Sequence, residues 1–218
     1  MRRKQQRKRA EKFFRKAKSY IASEYPSDLR HFRRINVPET FCRMNENRFL
    51  SKYAWVVYAT GFREATVENK FPAIKKAFKR FRLEEVAKME DLHPVLKVFK
   101  NKRKATAVRN GARAVSKEGF ANFKHRMMIE GVDGLDELPW IGEVTKNHLA
   151  GDIGLADVPK CDRWIVRIAR LLGYRPLVLI DELSVKFKEK KRVVDFILWA
   201  YCVKFGSLPS LRSYVESL

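Results

Sequence analysis

The chain has 218 residues, 45% of them hydrophobic, and can therefore bury a full core as one compact domain or as two helical lobes. Its 47 Lys and Arg residues against 25 Asp and Glu residues give a net charge of +22, which favours a nucleic acid as partner. No apolar run approaches the roughly 20 residues of a membrane-spanning helix, and the first residues lack the apolar stretch of a secretory signal. We expect an intracellular monomer, in the cytoplasm or nucleoid, that does not bind membranes.

The hydrophobic pattern predicts helices almost throughout, and few stretches alternate as strands do. The segments with helical periodicity or composition are 11–23, 46–60, 67–82, 83–89, 93–99, 102–118, 121–130, 134–138, 143–150, 163–172, 181–189 and 192–205. We therefore expect an all-α fold, with two interleaved helical lobes over residues 23–218. Residues 1–22 begin with a basic block and are expected to form either a flexible arm or the exposed start of a helix.

A sharp turn is predicted between the segments 134–138 and 143–150. Leu138 and Pro139 end the first segment, and Gly142 is expected to adopt a backbone conformation that residues with a Cβ avoid. Such a turn points unpaired backbone N–H groups outward at the positive end of the next helix, where a phosphate oxygen can bind. The sequence therefore predicts a phosphate-binding turn.

Asp162 lies twenty positions after Gly142 and directly precedes another helix. The apolar residues of that helix recur at helical spacing, as Trp164, Ile165 and Ile168 do. Taken alone, an aspartate at this position is most often only an N-cap.

The turn and the aspartate together resemble the helix-hairpin-helix base-excision DNA glycosylases, which include endonuclease III, adenine-mismatch, 8-oxoguanine and alkyl-base branches. Those proteins carry an L-P-G-x-G hairpin, followed at about this spacing by an aspartate that opens the next helix. The resemblance covers about residues 45–175, strongly at these two motifs and weakly elsewhere. It implies two helical lobes around a DNA-binding cleft that holds a nucleotide flipped out of double-stranded DNA.

The resemblance also implies DNA contacts outside the turn. Residues 61–70 are similar to the loop that probes the gap left by a flipped base, so Phe62 is the expected wedge and Arg63 its companion. The alternative for this pair is that Phe62 packs in the core and Arg63 is solvated. Trp55 and Tyr58 are candidate walls of a base pocket, although such residues are more often simply part of the core. The other residues expected to contact DNA are Leu138, Trp140, Gly142, Val144, Thr145, Lys146 and Lys160.

Two positions depart from the family pattern. Trp140 replaces the first hairpin glycine, and Val144 stands where bifunctional members place the lysine that forms a Schiff base with the sugar. Valine cannot be a nucleophile, and Lys146 lies roughly 200° further around the helix. We therefore expect a monofunctional glycosylase that releases the base and leaves an abasic site.

The expected chemistry needs one carboxylate. Breaking an N-glycosidic bond builds positive charge on the sugar, which a fixed negative charge stabilises in the transition state. The same carboxylate can orient or deprotonate the attacking water. Asp162 is the predicted catalytic residue, and no second catalytic acid is identifiable.

Cysteine and histidine spacing indicates no cofactor. Cys42, Cys161 and Cys202 are too few for the four-cysteine iron–sulfur cluster that several branches of the family carry. The four histidines show no ligand spacing, so a catalytic metal is not expected. An alkali ion that bridges the hairpin and a phosphate is consistent with the resemblance.

Two alternatives stay open. Helix-hairpin-helix turns also occur in non-catalytic DNA-binding proteins, in which Asp162 would be only a cap. Within the enzyme class, the substrate is either a damaged base, as in DNA repair, or a deliberately modified base of foreign DNA, as in defence against phage.

Overall fold

A computed structural model describes residues 2–35 and 38–218, which form α-helices joined by turns and short 3-10 segments, without a strand. In chain order, α1 to α14 span Arg2–Glu24, Pro26–Ile35, Pro38–Cys42, Glu46–Ala59, Glu64–Ala77, Leu83–Ala87, His93–Val98, Lys102–Glu118, Phe120–Glu130, Glu143–Ile153, Arg163–Leu171, Pro176–Phe187, Lys191–Val203 and Leu208–Glu216. The 3-10 segments are Lys79–Phe81 and Asp133–Glu137. The all-α expectation is confirmed for this part of the chain, in which no helix is both long and apolar enough to cross a membrane.

The chain divides into two compact units, one of which is inserted in the sequence of the other. The terminal unit comprises Met1–Asn36 and Asp157–Leu218, as far as these are described, and contains α1, α2 and α11 to α14. The insert unit comprises the described part of Val37–Ala156 and contains α3 to α10. The boundary expected after residue 22 falls inside α1, which spans Arg2–Glu24.

The basic N-terminal block forms the first turns of α1, whereas Met1 lies outside the described residues. The side chains of Ala10, Phe13, Phe14, Ala17 and Ile21 recur three or four positions apart and are buried. They form one face of the helix, which packs against α2, α12 and α13. Of the two forms expected for this segment, the structure has the helix.

The insert unit is organised around α4, which packs against α5, α8 and α10. The fully buried ring of Tyr53 in α4 lies against Gly111 in α8, where an added Cβ would come within 2.4 Å of Tyr53 Cε1. Gly111 is therefore needed for close helix packing, because any larger residue would collide with the ring.

Several helices begin at or near a proline, a signal that hydrophobic periodicity does not use. Pro26 and Pro176 are the first residues of α2 and α12, and Pro209 follows the cap residue Ser207 of α14 by two positions. Proline is favoured in the first turn because its fixed φ suits a helix and its missing N–H is not needed there. The predicted segments omit α2, α3 and α14, and the segment that corresponds to α12 begins five residues late, at residue 181.

The predicted helix 67–82 is also interrupted. It begins earlier, at Glu64, and ends at Ala77, after which Lys79, Arg80 and Phe81 have positive φ values of 52°, 57° and 58°. Such a left-handed turn disfavours any residue with a Cβ by about 1–2 kcal/mol. The buried Phe81 ring offsets part of this cost by stacking on Phe78 at 5.8 Å.

Candidate nucleic-acid interface and active site

The turn before α10 has its left-handed residue at Trp140, where φ is 73°. Gly142 instead has φ −147° and ψ −174°, an extended conformation that any residue adopts, and a Cβ there would meet nothing within 4 Å. The expectation that Gly142 supplies a conformation closed to other residues is therefore wrong. The left-handed residue is therefore Trp140, which stands where the resembled family has the first glycine of its hairpin.

One of the backbone amides expected to point outward, that of Gly142, is capped by a side chain. Thr145 Oγ1 accepts a hydrogen bond from Gly142 N at 2.7 Å, and Lys146 N donates to Gly142 O at 2.8 Å. Glu143, Val144 and Thr145 form the first turn of α10, whose amides have no partner within the helix. These three amides, rather than that of Gly142, provide the positive end of α10 where an anion can bind.

Tyr53 of α4 connects the turn to the core of the insert unit. The hydroxyl of Tyr53 lies 2.6 Å from Pro139 O and 3.1 Å from Ala107 O, and both carbonyls can accept from it. Because the tyrosine ring is fully buried and blocked by Gly111, its hydroxyl has little freedom to leave this position. The backbone of Pro139 is thus held in register with α4 and α8.

Lys104 connects the same turn with the end of α4. Its side chain is buried, and its ammonium donates to the carbonyls of Val57, Tyr58 and Thr60, the last at 2.6 Å. The rings of Phe62 and Trp140 lie 5.2 Å and 5.1 Å from Lys104 Nζ, within cation–π range. Burial lowers the pKa of Lys104 to about 8, while the three carbonyls favour the charged form. The sequence pattern gives no indication that Lys104 bridges α4 and the turn.

The two predicted contact residues that follow α4 are at the surface. Phe62 is 44% exposed and packs edge-on against Phe99 at 5.0 Å, so it is neither a core residue nor a free side chain. Arg63 is exposed and precedes the first residue of α5. Both positions are compatible with a contact to DNA.

The two candidate pocket residues lie in the aromatic core of the insert unit. Tyr58 is fully buried, with its ring 5.1 Å from that of Phe99. Trp55 is half-buried and packs edge-on against Phe71 at 5.1 Å. These contacts favour the core alternative for both residues, although the Tyr58 hydroxyl has no hydrogen-bond partner among the described residues.

The remaining predicted contact residues of the hairpin differ in exposure. Val144 and Trp140 are 44% and 39% exposed, whereas the side chain of Leu138 is buried and leaves only its backbone for a contact. Lys146 is also buried, and its ammonium lies 3.0 Å from Asp133, 2.9 Å from Asp136 and 3.0 Å from Glu143. The carboxylates of Asp136, Asp133 and Glu143 raise the pKa of Lys146, so this lysine is held as a structural cation.

Asp162 lies in the terminal unit and caps α11. Its Oδ1 accepts hydrogen bonds from Trp164 N at 2.8 Å and from Ile165 N at 3.4 Å. None of the described residues donates to Oδ2, and the side chain is half-buried. The predicted N-cap is confirmed, and one carboxylate oxygen remains available for a ligand. Lys160, two residues earlier, is half-buried.

The turn that carries Asp162 is tied at both ends to the start of α13. Asp157 accepts from the amides of Lys191 and Arg192, each at 3.0 Å. In the opposite direction, Asp195 Oδ1 accepts from Cys161 N at 3.1 Å. Asp195 is buried and forms an ion pair with Arg192 at 3.0 Å. The sequence signal for this clamp, an acidic residue within the apolar run 193–198, was overlooked.

Cys161 has a left-handed backbone, with φ 48°. Burial, followed by the charges of Asp195 and Asp162, raises the pKa of its thiol to about 12. The thiol is therefore protonated at neutral pH and unsuited to nucleophilic chemistry.

No known protein family matches the chain, and neither does any curated protein or solved structure. Among the described residues, no three His, Cys, Asp or Glu side chains are arranged to hold a metal ion.

Proposed function

We propose that this protein is a monofunctional DNA glycosylase of the helix-hairpin-helix type, which flips a damaged or modified base from double-stranded DNA and hydrolyses its N-glycosidic bond. The observation that carries the proposal is Asp162, an N-cap with one unengaged carboxylate oxygen, twenty positions after the turn that opens α10. The proposal includes a DNA-binding cleft, which the resemblance to these glycosylases implies.

The capping geometry suits the proposed chemistry. Two backbone amides hold Oδ1 of Asp162, so the carboxylate is oriented before substrate binds. In the proposed reaction, the carboxylate stabilises positive charge on the sugar as the bond to the base breaks. Oδ2 orients the attacking water and accepts its proton, which leaves a hydroxyl on the sugar carbon of an abasic site, while the base departs with the bonding electron pair and takes up a proton from solvent.

The proposed absence of a lyase step is supported by both residues at the relevant end of α10. Val144 offers no amine, and the three carboxylates around Lys146 keep its ammonium protonated. A Schiff base requires a neutral amine, so Lys146 is a poor nucleophile. We therefore expect that borohydride traps no covalent adduct between the protein and DNA.

The proposed DNA contacts combine charge with exposed rings. The amides of the first turn of α10 bind a phosphate, while Phe62 and Trp140, fixed by Lys104 between them, are available to stack on bases. The resemblance also implies an alkali ion at this turn. Backbone carbonyls of this turn would hold such an ion, which would supply positive charge for a DNA phosphate.

Base release from a panel of duplexes tests the proposal. The panel contains uracil, hypoxanthine, 8-oxoguanine, alkylated purines and modified cytosines, so that it covers both repair and foreign-DNA substrates. Strand cleavage that appears only after alkali treatment is the expected result, since a monofunctional enzyme leaves an intact abasic strand. Strand cleavage without alkali would contradict the monofunctional assignment.

A second candidate function is supported by one observation. Oδ1 of Asp162 is fully engaged as a helix cap, which is a sufficient structural reason for an aspartate at this position. On that reading, the protein is a basic, non-catalytic DNA binder. Tight duplex binding without base release from any substrate would favour it.

A further inference from the structure

We propose that Asp195 is a positioning residue for Asp162, and that it acts through the backbone amide of Cys161. The inference rests on the proposed function, because it assigns Asp162 the catalytic role. Asp195 itself lies on α13 and has no expected contact with substrate.

The hydrogen bond from Cys161 N to Asp195 Oδ1, 3.1 Å long, holds the residue directly before Asp162. Cys161 has φ 48°, a conformation that a residue with a Cβ avoids unless its surroundings impose it. Without this bond, Cys161 is free to return to negative φ. That rotation would turn the peptide that leads into Asp162 and displace its carboxylate.

The turn 157–162 and the start of α13 hold each other through hydrogen bonds in both directions. Asp157, at the start of the turn, caps the first amides of α13, and Asp195, one turn further along α13, holds Cys161 at the end of the turn. Asp162 then caps α11 through Trp164 N. The backbone of Asp162 is thus fixed from the preceding residue and its side chain from the following helix.

Arg192 keeps Asp195 in place as an acceptor. Its guanidinium lies 3.0 Å from Asp195 Oδ2 and 5.4 Å above the ring of Phe32. Burial raises the pKa of Asp195 and opposes its charge, which the paired Arg192 offsets. Replacement of only one partner would leave the other charge buried and unpaired, and would endanger the fold.

The test therefore replaces the pair together. In the double variant R192M/D195N, no buried charge remains, but the side-chain amide oxygen still accepts from Cys161 N. In R192M/D195L, leucine keeps the branched shape of the side chain, but the acceptor is lost. The two variants differ at residue 195 alone. Lys191→Met, on the same helix as the pair, removes an exposed ion pair with Asp181 of α12 and is the control.

Single-turnover base release, duplex affinity and amide hydrogen exchange are measured for each variant. We expect R192M/D195N and Lys191→Met to release base within threefold of the wild-type rate. We expect R192M/D195L to be about 10- to 100-fold slower, with duplex Kd and melting temperature close to those of R192M/D195N. In the slow variant, the amides of Cys161 and Trp164 should exchange at least tenfold faster, because the turn and the cap of α11 loosen together.

Equal rates for the two double variants would overturn the inference, as would faster exchange at Cys161 without any change at Trp164. If the wild-type protein releases no base, the proposed function fails, but the amide exchange of Trp164 still decides whether Asp195 positions Asp162.

Discussion

Gly111→Ala should destabilise the insert unit, although alanine normally stabilises a helix. The new Cβ would lie 2.4 Å from Tyr53 Cε1 and 2.7 Å from both Cζ and the hydroxyl oxygen. Movement of the ring would cost free energy, since the ring is fully buried and its hydroxyl lies within hydrogen-bond distance of Pro139 O and Ala107 O. The structure therefore predicts that either the ring or α8 must shift.

The expected size of the effect follows from three contributions. Overpacking costs about 1–3 kcal/mol, and loss of the hydrogen bond that the buried hydroxyl donates costs about 1–3 kcal/mol. Alanine favours a helix over glycine by about 1 kcal/mol in the opposite direction. The free energy of unfolding should therefore fall by about 3 kcal/mol, measured by urea denaturation. Asn110→Ala, at an exposed position of the same helix, is the matched control and should change it by less than about 0.5 kcal/mol.

A double-mutant cycle isolates the collision. In a Tyr53→Leu background, Gly111→Ala should cost at least about 2 kcal/mol less than in the wild type, because the obstructing ring is absent. A gain of about 1 kcal/mol from Gly111→Ala in the wild-type background would refute the packing argument, since that is the effect at an open helical site.

Three further outcomes are expected. Burial lowers the pKa of Lys104 to about 8, so above that pH the folded state binds fewer protons than the unfolded state. Between pH 8 and 9.5, the free energy of unfolding of the wild type should therefore rise by about 1–2 kcal/mol relative to that of Lys104→Met, as measured by urea titration. A constant difference over that range would show that Lys104 stays charged. Gly142→Ala should change the free energy of unfolding by less than about 0.5 kcal/mol, since the backbone there is extended and unobstructed, and a larger loss would contradict the observed turn geometry. Trp140→Gly should change the free energy of unfolding by no more than about 1 kcal/mol, because relief of the left-handed φ offsets the lost contact with Lys104. The same substitution should weaken duplex binding, and unchanged binding would exclude Trp140 from the interface.

Local sequence patterns were sufficient for much of the fold. Helical periodicity located α4, α8 and α13 within a few residues, and the N-cap at Asp162 followed from a single aspartate before an apolar run. The proline-started helices α2, α3, α12 and α14 were missed or shortened, because hydrophobic periodicity does not use proline as a signal for the first turn of a helix.

Contacts between residues distant in sequence could not be predicted in the same way. The apolar run around Asp195 signals its burial, whereas nothing around Lys104 does so, and neither pattern identifies partners that lie 34 and 44–47 positions away, respectively. Only the general rule that a buried charge needs partners points to such residues, and the rule does not identify the partners.

The turn before α10 shows why a motif can be located correctly and interpreted wrongly in detail. Sequence placed the turn between residues 138 and 143, but it assigned the special conformation to Gly142, the glycine that remained. The structure has it at Trp140, where the contact of the indole with Lys104 compensates for the left-handed backbone.

The most direct test of the account is a comparison of wild type with Asp162→Asn in single-turnover base release, with duplex affinity measured in parallel. Asparagine still caps α11 but carries no charge, so the fold and DNA binding should persist. The account predicts that base release falls by at least about 1000-fold while the Kd for the duplex stays within threefold. Base release by Asp162→Asn at the wild-type rate would contradict the assignment of Asp162 as the catalytic carboxylate.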